Sequence, residues 1–231
     1  MRLSATRVAL VAIFAAVQAL LSIFPFTITI GMTGMITLGV IGGPLIGILL
    51  GPIYGGLSVL IGSFVGVFLN PSGALFGPLT VIPPTVAALT AGCVKIKKGY
   101  IGGAVILGFL LVFYAHPAGR EAYIYPWMHF AAMALAFSPL AYWAGSSFGS
   151  ADGRKLAFGI ATAAFIGVLA DHIAGTTAAV WYFSPALTAP MLYTVLFVYP
   201  IERIVAFVLT TIVAVPVFYS LRRAGFAELL K

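Results

Sequence analysis

The chain has 231 residues, 62% of them hydrophobic and 7% charged, and its mean hydropathy is +1.14. A soluble domain carries about a quarter charged residues, so composition excludes a water-soluble globular protein and points to an all-α polytopic helix bundle in a lipid bilayer. The net charge of +7 lies in short basic clusters between apolar runs, which fits membrane topology rather than a nucleic-acid partner. A lone cysteine, Cys93, excludes an internal disulfide and gives no cysteine metal cluster. No stretch is polar enough for a separate soluble domain, so residues 1–231 read as one integral membrane domain.

Arg2 and Arg7 precede an apolar core in the manner of a signal peptide. Ile23-Phe24-Pro25-Phe26 offers no small-residue cleavage site, so this segment reads as a retained first helix. Apolar runs able to cross, or nearly cross, the hydrocarbon core lie at about 8–25, 35–50, 53–69, 78–94, 100–115, 127–145, 156–182 and 190–220. The second and third carry Gly39, Gly43, Gly47, Gly51 and Gly55 at strict four-residue spacing, which lines one helix face with small residues. Gly51-Pro52 interrupts that ladder as a helix-breaking pair, predicting a hairpin of two short membrane helices. Asn70-Pro71 reads as the stop of the third run, and Pro200 and Pro216 are expected to break the last.

Six to eight membrane helices follow, with an even count favoured by charge. With the N-terminus inside, Arg2, Arg7, Lys95, Lys97, Lys98, Arg154, Lys155, Arg222, Arg223 and Lys231 are all cytoplasmic, and both termini lie on that side. Only Arg120 then falls outside, while Arg203 sits within the last run. The outer surface would comprise Pro25 to Gly34 with Thr27, Thr29 and Thr33, then Asn70 to Gly77, then the loops His116–Pro126 and Phe183–Ala189. Tyr123, Tyr125, Trp127, Trp181, Tyr182 and Tyr193 gather there, either as an aromatic belt at the headgroups or, for a few, as stacking partners for a planar ligand.

Ionisable side chains inside the bilayer usually face a cavity or a partner. Asp171 and His172 occupy the seventh run, Glu202 and Arg203 the eighth. Asp171 shares a helix face with Gly167, Ala174, Gly175 and Ala178, so it points inward against other helices. His172 lies about 100° further round and is not expected to face the same partner. Asp171 either pairs with Arg203 or contacts a ligand; in the first case Glu202 is left spare and is the better ligand contact. His116, His129 and His172 lack metal-ligand spacing on any one helix, and no metal site is expected. The candidate ligand contacts are Thr27, Thr29, Asn70, Trp127, His129, Asp171, His172, Trp181 and Glu202. There is no G-x-x-x-x-G-K-[ST], G-x-S-x-G or H-E-x-x-H, so no catalytic residue or cofactor is assigned.

Ala12-x-x-x-Ala16 and Ala15-x-x-x-Ala19, then Leu38-Gly39-Val40 through Leu50-Gly51-Pro52-Ile53-Tyr54-Gly55-Gly56, then Asn70-Pro71, Gly77-Pro78 and the basic Lys95-Ile96-Lys97-Lys98 follow in a telling order. Together they resemble the substrate-binding S components of energy-coupling factor (ECF) vitamin transporters. The resemblance covers about residues 1–98. It implies a pocket open to the outside and closed by the loop Pro25 to Gly34. It also implies docking through Ala12, Ala15, Ala16 and Ala19 onto a transmembrane coupling subunit that works with two ABC-type ATPases. The ligand would be a vitamin or related micronutrient, taken up across the cell membrane, and the chain would not be an enzyme. Residues 99–231 diverge: the family has six helices, so either the fifth and sixth runs are an insertion or two helices have been added. A stand-alone secondary transporter or channel using Asp171 and Glu202 as ion or proton sites is the alternative, although no inverted repeat is evident. An intramembrane enzyme using Asp171 and His172 as acid and base is disfavoured by their different helix faces.

Overall fold

A computed structural model describes residues 5–24 and 38–225, and these are helical with no strand. Thr27, Thr29, the proposed closing loop Pro25 to Gly34, Arg2 and Lys231 lie outside the described residues. Helix α1 (Ala5–Ile23) is followed by α2 (Gly39–Leu69), α3 (Ile82–Lys95), α4 (Gly99–Ala115) and a short α5 (Pro117–Glu121). Then come α6 (Trp127–Phe137), α7 (Pro139–Ser147), α8 (Gly153–Tyr182), α9 (Ala189–Thr194) and α10 (Val198–Arg223). Two 3-10 turns, Pro71–Gly73 and Gly77–Val81, lead into α3. Five helical stretches, Ala5–Ile23, Gly39–Leu69, Gly77–Lys95, Gly153–Tyr182 and Val198–Arg223, are long and apolar enough to cross a membrane, and Gly99–Ala115 and Trp127–Phe137 are shorter apolar helices. The protein is a membrane-embedded, multi-pass helix bundle.

Helix α2 is a hairpin. Gly51 has φ 77° and ψ 178°, a conformation that favours glycine, and Pro52 starts the next arm with no amide hydrogen to lose. A Cβ on Gly55 would come within 2.8 Å of Gly47 Cα. In one continuous helix, residues eight apart are separated by about 12 Å, so the two arms must fold back on each other. Ile46 and Val59, one from each arm, pack together with Ala88 of α3. A Cβ on Gly47 would also collide with the backbone of Ala88. Lipid tails give helices no hydrophobic reason to associate, so close backbone approach through small residues is what holds such a bundle. The ladder therefore packs α2 on itself and on α3, and any larger residue at Gly47 forces them apart.

Side-chain contacts fix which ends meet. Arg7 Nη1 donates to Tyr54 Oη at 3.0 Å, Lys95 Nζ to the Leu49 carbonyl at 2.9 Å, and Arg222 to the carbonyls of Ser150 and Phe148. The start of α1, the bend of α2 and the α3–α4 and α7–α8 links therefore share one end with the finish of α10. That end collects Arg7, Lys95, Lys97, Lys98, Arg154, Lys155, Arg222 and Arg223. At the other end Asn70 Nδ2 donates to the Ser22 carbonyl at 3.3 Å, Trp181 Nε1 to Val112 O at 3.2 Å, and Tyr193 Oη to Glu121 O at 2.9 Å. Counting the two α2 arms separately and α6–α7 as one broken crossing, the described chain passes between these ends eight times.

The breaks do not fall at the expected Pro200 and Pro216: the last run divides between α9 and α10, and Pro216 lies inside α10. The run 127–145 is interrupted at Ser138-Pro139, where the Ser138 hydroxyl caps the Leu140 amide of α7. Pro200 lies in the first turn of α10, where amide hydrogens have no intrahelical partner, so the expected kink beside Arg203 does not form. The second half of the bundle also has an order. Helices α1, α2, α3, α8 and α10 pack as one group, and α4, α6 and α7 lie on the flank made by α3 and α8.

Candidate functional site

A cavity of about 340 Å³ lies in the half of the bundle away from the basic end. Its walls come from α1, both arms of α2, the 71–80 turns, α3, α8 and α10, and no residue from 85 to 170 lines it. The fifth and sixth sequence runs thus form a flanking pair outside a six-crossing core. Asn70, Asp171, His172 and Glu202, four of the expected contacts, line one cavity together with Arg203.

The charged wall is compact. Arg203 is 3% exposed; its Nη1 lies 3.3 Å from Asp171 Oδ2 and its Nη2 lies 3.7 Å from Glu202 Oε2. Glu202 is therefore not spare: one guanidinium serves two carboxylates, with its planar fork dividing the donors. Two carboxylates against one guanidinium leave one formal negative charge. Arg203 Nε is buried without a hydrogen-bond partner among the described residues.

Asp171 and His172 both reach the cavity although they are neighbours in α8. Face arithmetic on one helix missed this because a cavity wraps more than one face. His172 is held from behind: its Nδ1 lies 2.9 Å from His129 Nε2, with the two rings 9° from parallel. His129 is fully buried and does not line the cavity.

Trp127 and Trp181 do not line it either. They are 47% and 51% exposed, and Trp181 packs edge-on against His116. These rings stand at the bundle's outer surface, where an aromatic belt belongs. Conversely, Gln18, Ser22, Ser63, Thr80 and Thr176 line the cavity and were not singled out from the sequence. Gln18 carried a signal, being an amide inside an otherwise apolar helix; it is 0% exposed, and its Nε2 donates to Ser63 Oγ at 3.1 Å.

The two alanine motifs separate. Ala12 and Ala16 face outward from α1. Ala15 and Ala19 are buried, and a Cβ on Gly62 would strike the Ala15 carbonyl. The Ala15–Ala19 face is therefore occupied by the second arm of α2, which corrects its assignment as a partner surface.

Residues 2–116 match the family described as ECF-type riboflavin transporter, S component. The chain belongs to the ECF-type S components. An uncharacterized protein of Methanocaldococcus jannaschii is 30% identical over 135 residues, which is 56% of this chain and 43% of that relative. The match thus spans less than half the relative's length. No solved structure matches the chain. The family match takes in α4 and ends just after it, so Asp171, His172, Glu202 and Arg203 lie beyond it.

Proposed function

We propose that this S component is the substrate-binding subunit of an ECF-type transporter in the cell membrane. It captures a small, planar, vitamin-like molecule of the riboflavin class from outside. It then passes that molecule to a transmembrane coupling subunit driven by two ABC-type ATPases, and performs no chemistry itself. The observation that carries this reading is the cavity. Its volume of about 340 Å³ falls in the range of small-ligand sites, and its polar groups converge from helices on every side.

The cavity lies away from the basic end, which the positive-inside rule assigns to the cytoplasm, so the ligand enters from outside. Hydroxyl-, amide- and carboxylate-bearing walls suit a neutral ligand rich in hydrogen-bonding groups. The surplus negative charge disfavours a phosphorylated one. A stand-alone ion-coupled transporter would need carboxylates available to ions, whereas Asp171 and Glu202 both face Arg203. The exposed Ala12 and Ala16 face of α1 provides a close-approach surface for the coupling subunit.

The test is to purify the chain in detergent and identify co-purifying small molecules by mass spectrometry. A flavin or similar heterocycle in near-stoichiometric amount is the expected result. Only lipid and detergent, together with no uptake when the coupling module is co-expressed, would overturn the reading.

A further inference from the structure

The α4–α7 flank contributes nothing directly to the cavity wall, yet polar groups of the flank meet the wall from behind, His129 among them. His129, in the first turn of α6, is 0% exposed. Its Nε2 meets Nδ1 of cavity-lining His172 at 2.9 Å. Tyr199 of α10 stacks on both imidazoles, with centroids 4.7 Å from His172 at 21° and 5.6 Å from His129 at 19°. Tyr199 is itself fixed by donating to the Tyr125 carbonyl at 2.8 Å, and the Tyr125 ring is 6.2 Å from His172.

We infer that His129 is a positioning residue that sets the orientation and tautomer of His172, and thereby which hydrogen-bonding group of the ligand the cavity accepts. An imidazole has two nitrogens, and the bond made by one decides the proton state of the other. With Nδ1 engaged by His129, Nε2 is the nitrogen left to a ligand. If the shared proton sits on His129, His172 presents an N–H to a ligand carbonyl or ring nitrogen. If it sits on His172 Nδ1, Nε2 presents a lone pair to a ligand N–H or hydroxyl. Either way the tautomer of His172 is tied to that of His129, because the pair has a single shared proton, and Tyr199 holds both rings by stacking on them. The flank acts as a second layer of the site, through a residue beyond the matched segment 2–116. The consequence for affinity rests on the ligand reading above; the effect on His172 does not.

Two variants separate position from packing. His129→Phe keeps a flat ring for the stack and removes the hydrogen bond, while His129→Gln restores a donor and an acceptor. The protein has three histidines, so ¹⁵N-histidine labelling of the detergent-solubilised chain resolves each ring by NMR. Parent His172 should show one neutral tautomer, His129→Phe should give a mixed or exchanging His172, and His129→Gln should restore a single state. Riboflavin, as the probe, should bind about tenfold more weakly to His129→Phe and near parent strength to His129→Gln. An unchanged His172 spectrum in His129→Phe overturns the inference, whatever riboflavin does. Failure of riboflavin to bind the parent would instead count against the ligand reading, with the NMR comparison still deciding the role of His129.

Discussion

Replacing Arg203 should damage the protein more than replacing either carboxylate it serves. At an effective dielectric constant of about 20, contacts of 3.3 and 3.7 Å correspond to attractions of about 5 and about 4.5 kcal/mol before desolvation. Most of that offsets the cost of taking the charges out of water, so the intact triad contributes little net stability. Breaking it is another matter. Arg203→Met strands two carboxylates whose side chains are only 12% and 14% exposed, at a cost of about 3–5 kcal/mol. Asp171→Asn leaves Arg203 with Glu202 and still offers an amide oxygen, so about 1–3 kcal/mol is expected. For a chain of this length about 1 kcal/mol moves the melting temperature by roughly 2–4 °C. Arg203→Met should therefore lose on the order of 10 °C and Asp171→Asn about half that. The triple variant Asp171→Asn, Glu202→Gln, Arg203→Met removes every charge and should recover most of the loss. Thermal unfolding in detergent, followed by tryptophan fluorescence, measures all three. An Arg203→Met protein as stable as Asp171→Asn, or a triple variant no better than Arg203→Met, would refute the shared-guanidinium argument.

Other consequences are simpler. Gly47→Val should lower the yield of monodisperse protein on size-exclusion chromatography, because its side chain meets the Ala88 backbone and overpacking costs about 1–3 kcal/mol; wild-type yield and melting would contradict the hairpin packing. Ala16→Trp, on the outward face of α1, should abolish co-purification of the coupling module with riboflavin binding and melting preserved, whereas Ala15→Trp should destabilise the isolated chain. Cysteines replacing Tyr123 and Lys98, both exposed and at opposite ends, should label with impermeant maleimide from outside and inside respectively; the reverse pattern would invert the topology. Riboflavin 5′-phosphate should bind at least about tenfold more weakly than riboflavin, since it brings negative charge toward Asp171 and Glu202; equal affinity in a competition titration would remove the electrostatic argument.

The elements read well from the sequence where a single helix carries the information. Gly51-Pro52 within a four-residue glycine ladder specified the hairpin, because both the turn and the close packing depend on residues local to it. Asp171, Glu202 and Arg203 announced themselves as charges in apolar runs, where burial leaves them no place but a cavity or a partner. What was not legible depends on neighbours in space. His129 and His172 are 43 positions apart, and no helical periodicity relates them. Glu202 looked spare because Arg203 was paired with Asp171 alone, yet one guanidinium reaches both carboxylates. Trp127 and Trp181 share their composition with stacking residues, and only their outward placement distinguishes a belt from a binding surface. Ala15 and Ala16 illustrate the same limit: one faces α2 and the other faces out, and the repeat of small residues is identical on both faces.

The most direct test of the central claim is a riboflavin titration of the purified chain beside a variant that fills the cavity. Gly175 lines the cavity, and a Cβ placed there meets only Pro83 at 3.6 and 3.9 Å, ordinary contact distances, so Gly175→Phe attaches a ring at the cavity wall from a position that accepts a Cβ. The parent should quench flavin fluorescence saturably at one ligand per chain. Gly175→Phe should melt near the parent temperature and fail to quench. Saturable binding that survives intact in a well-folded Gly175→Phe protein would place the ligand elsewhere and contradict the account.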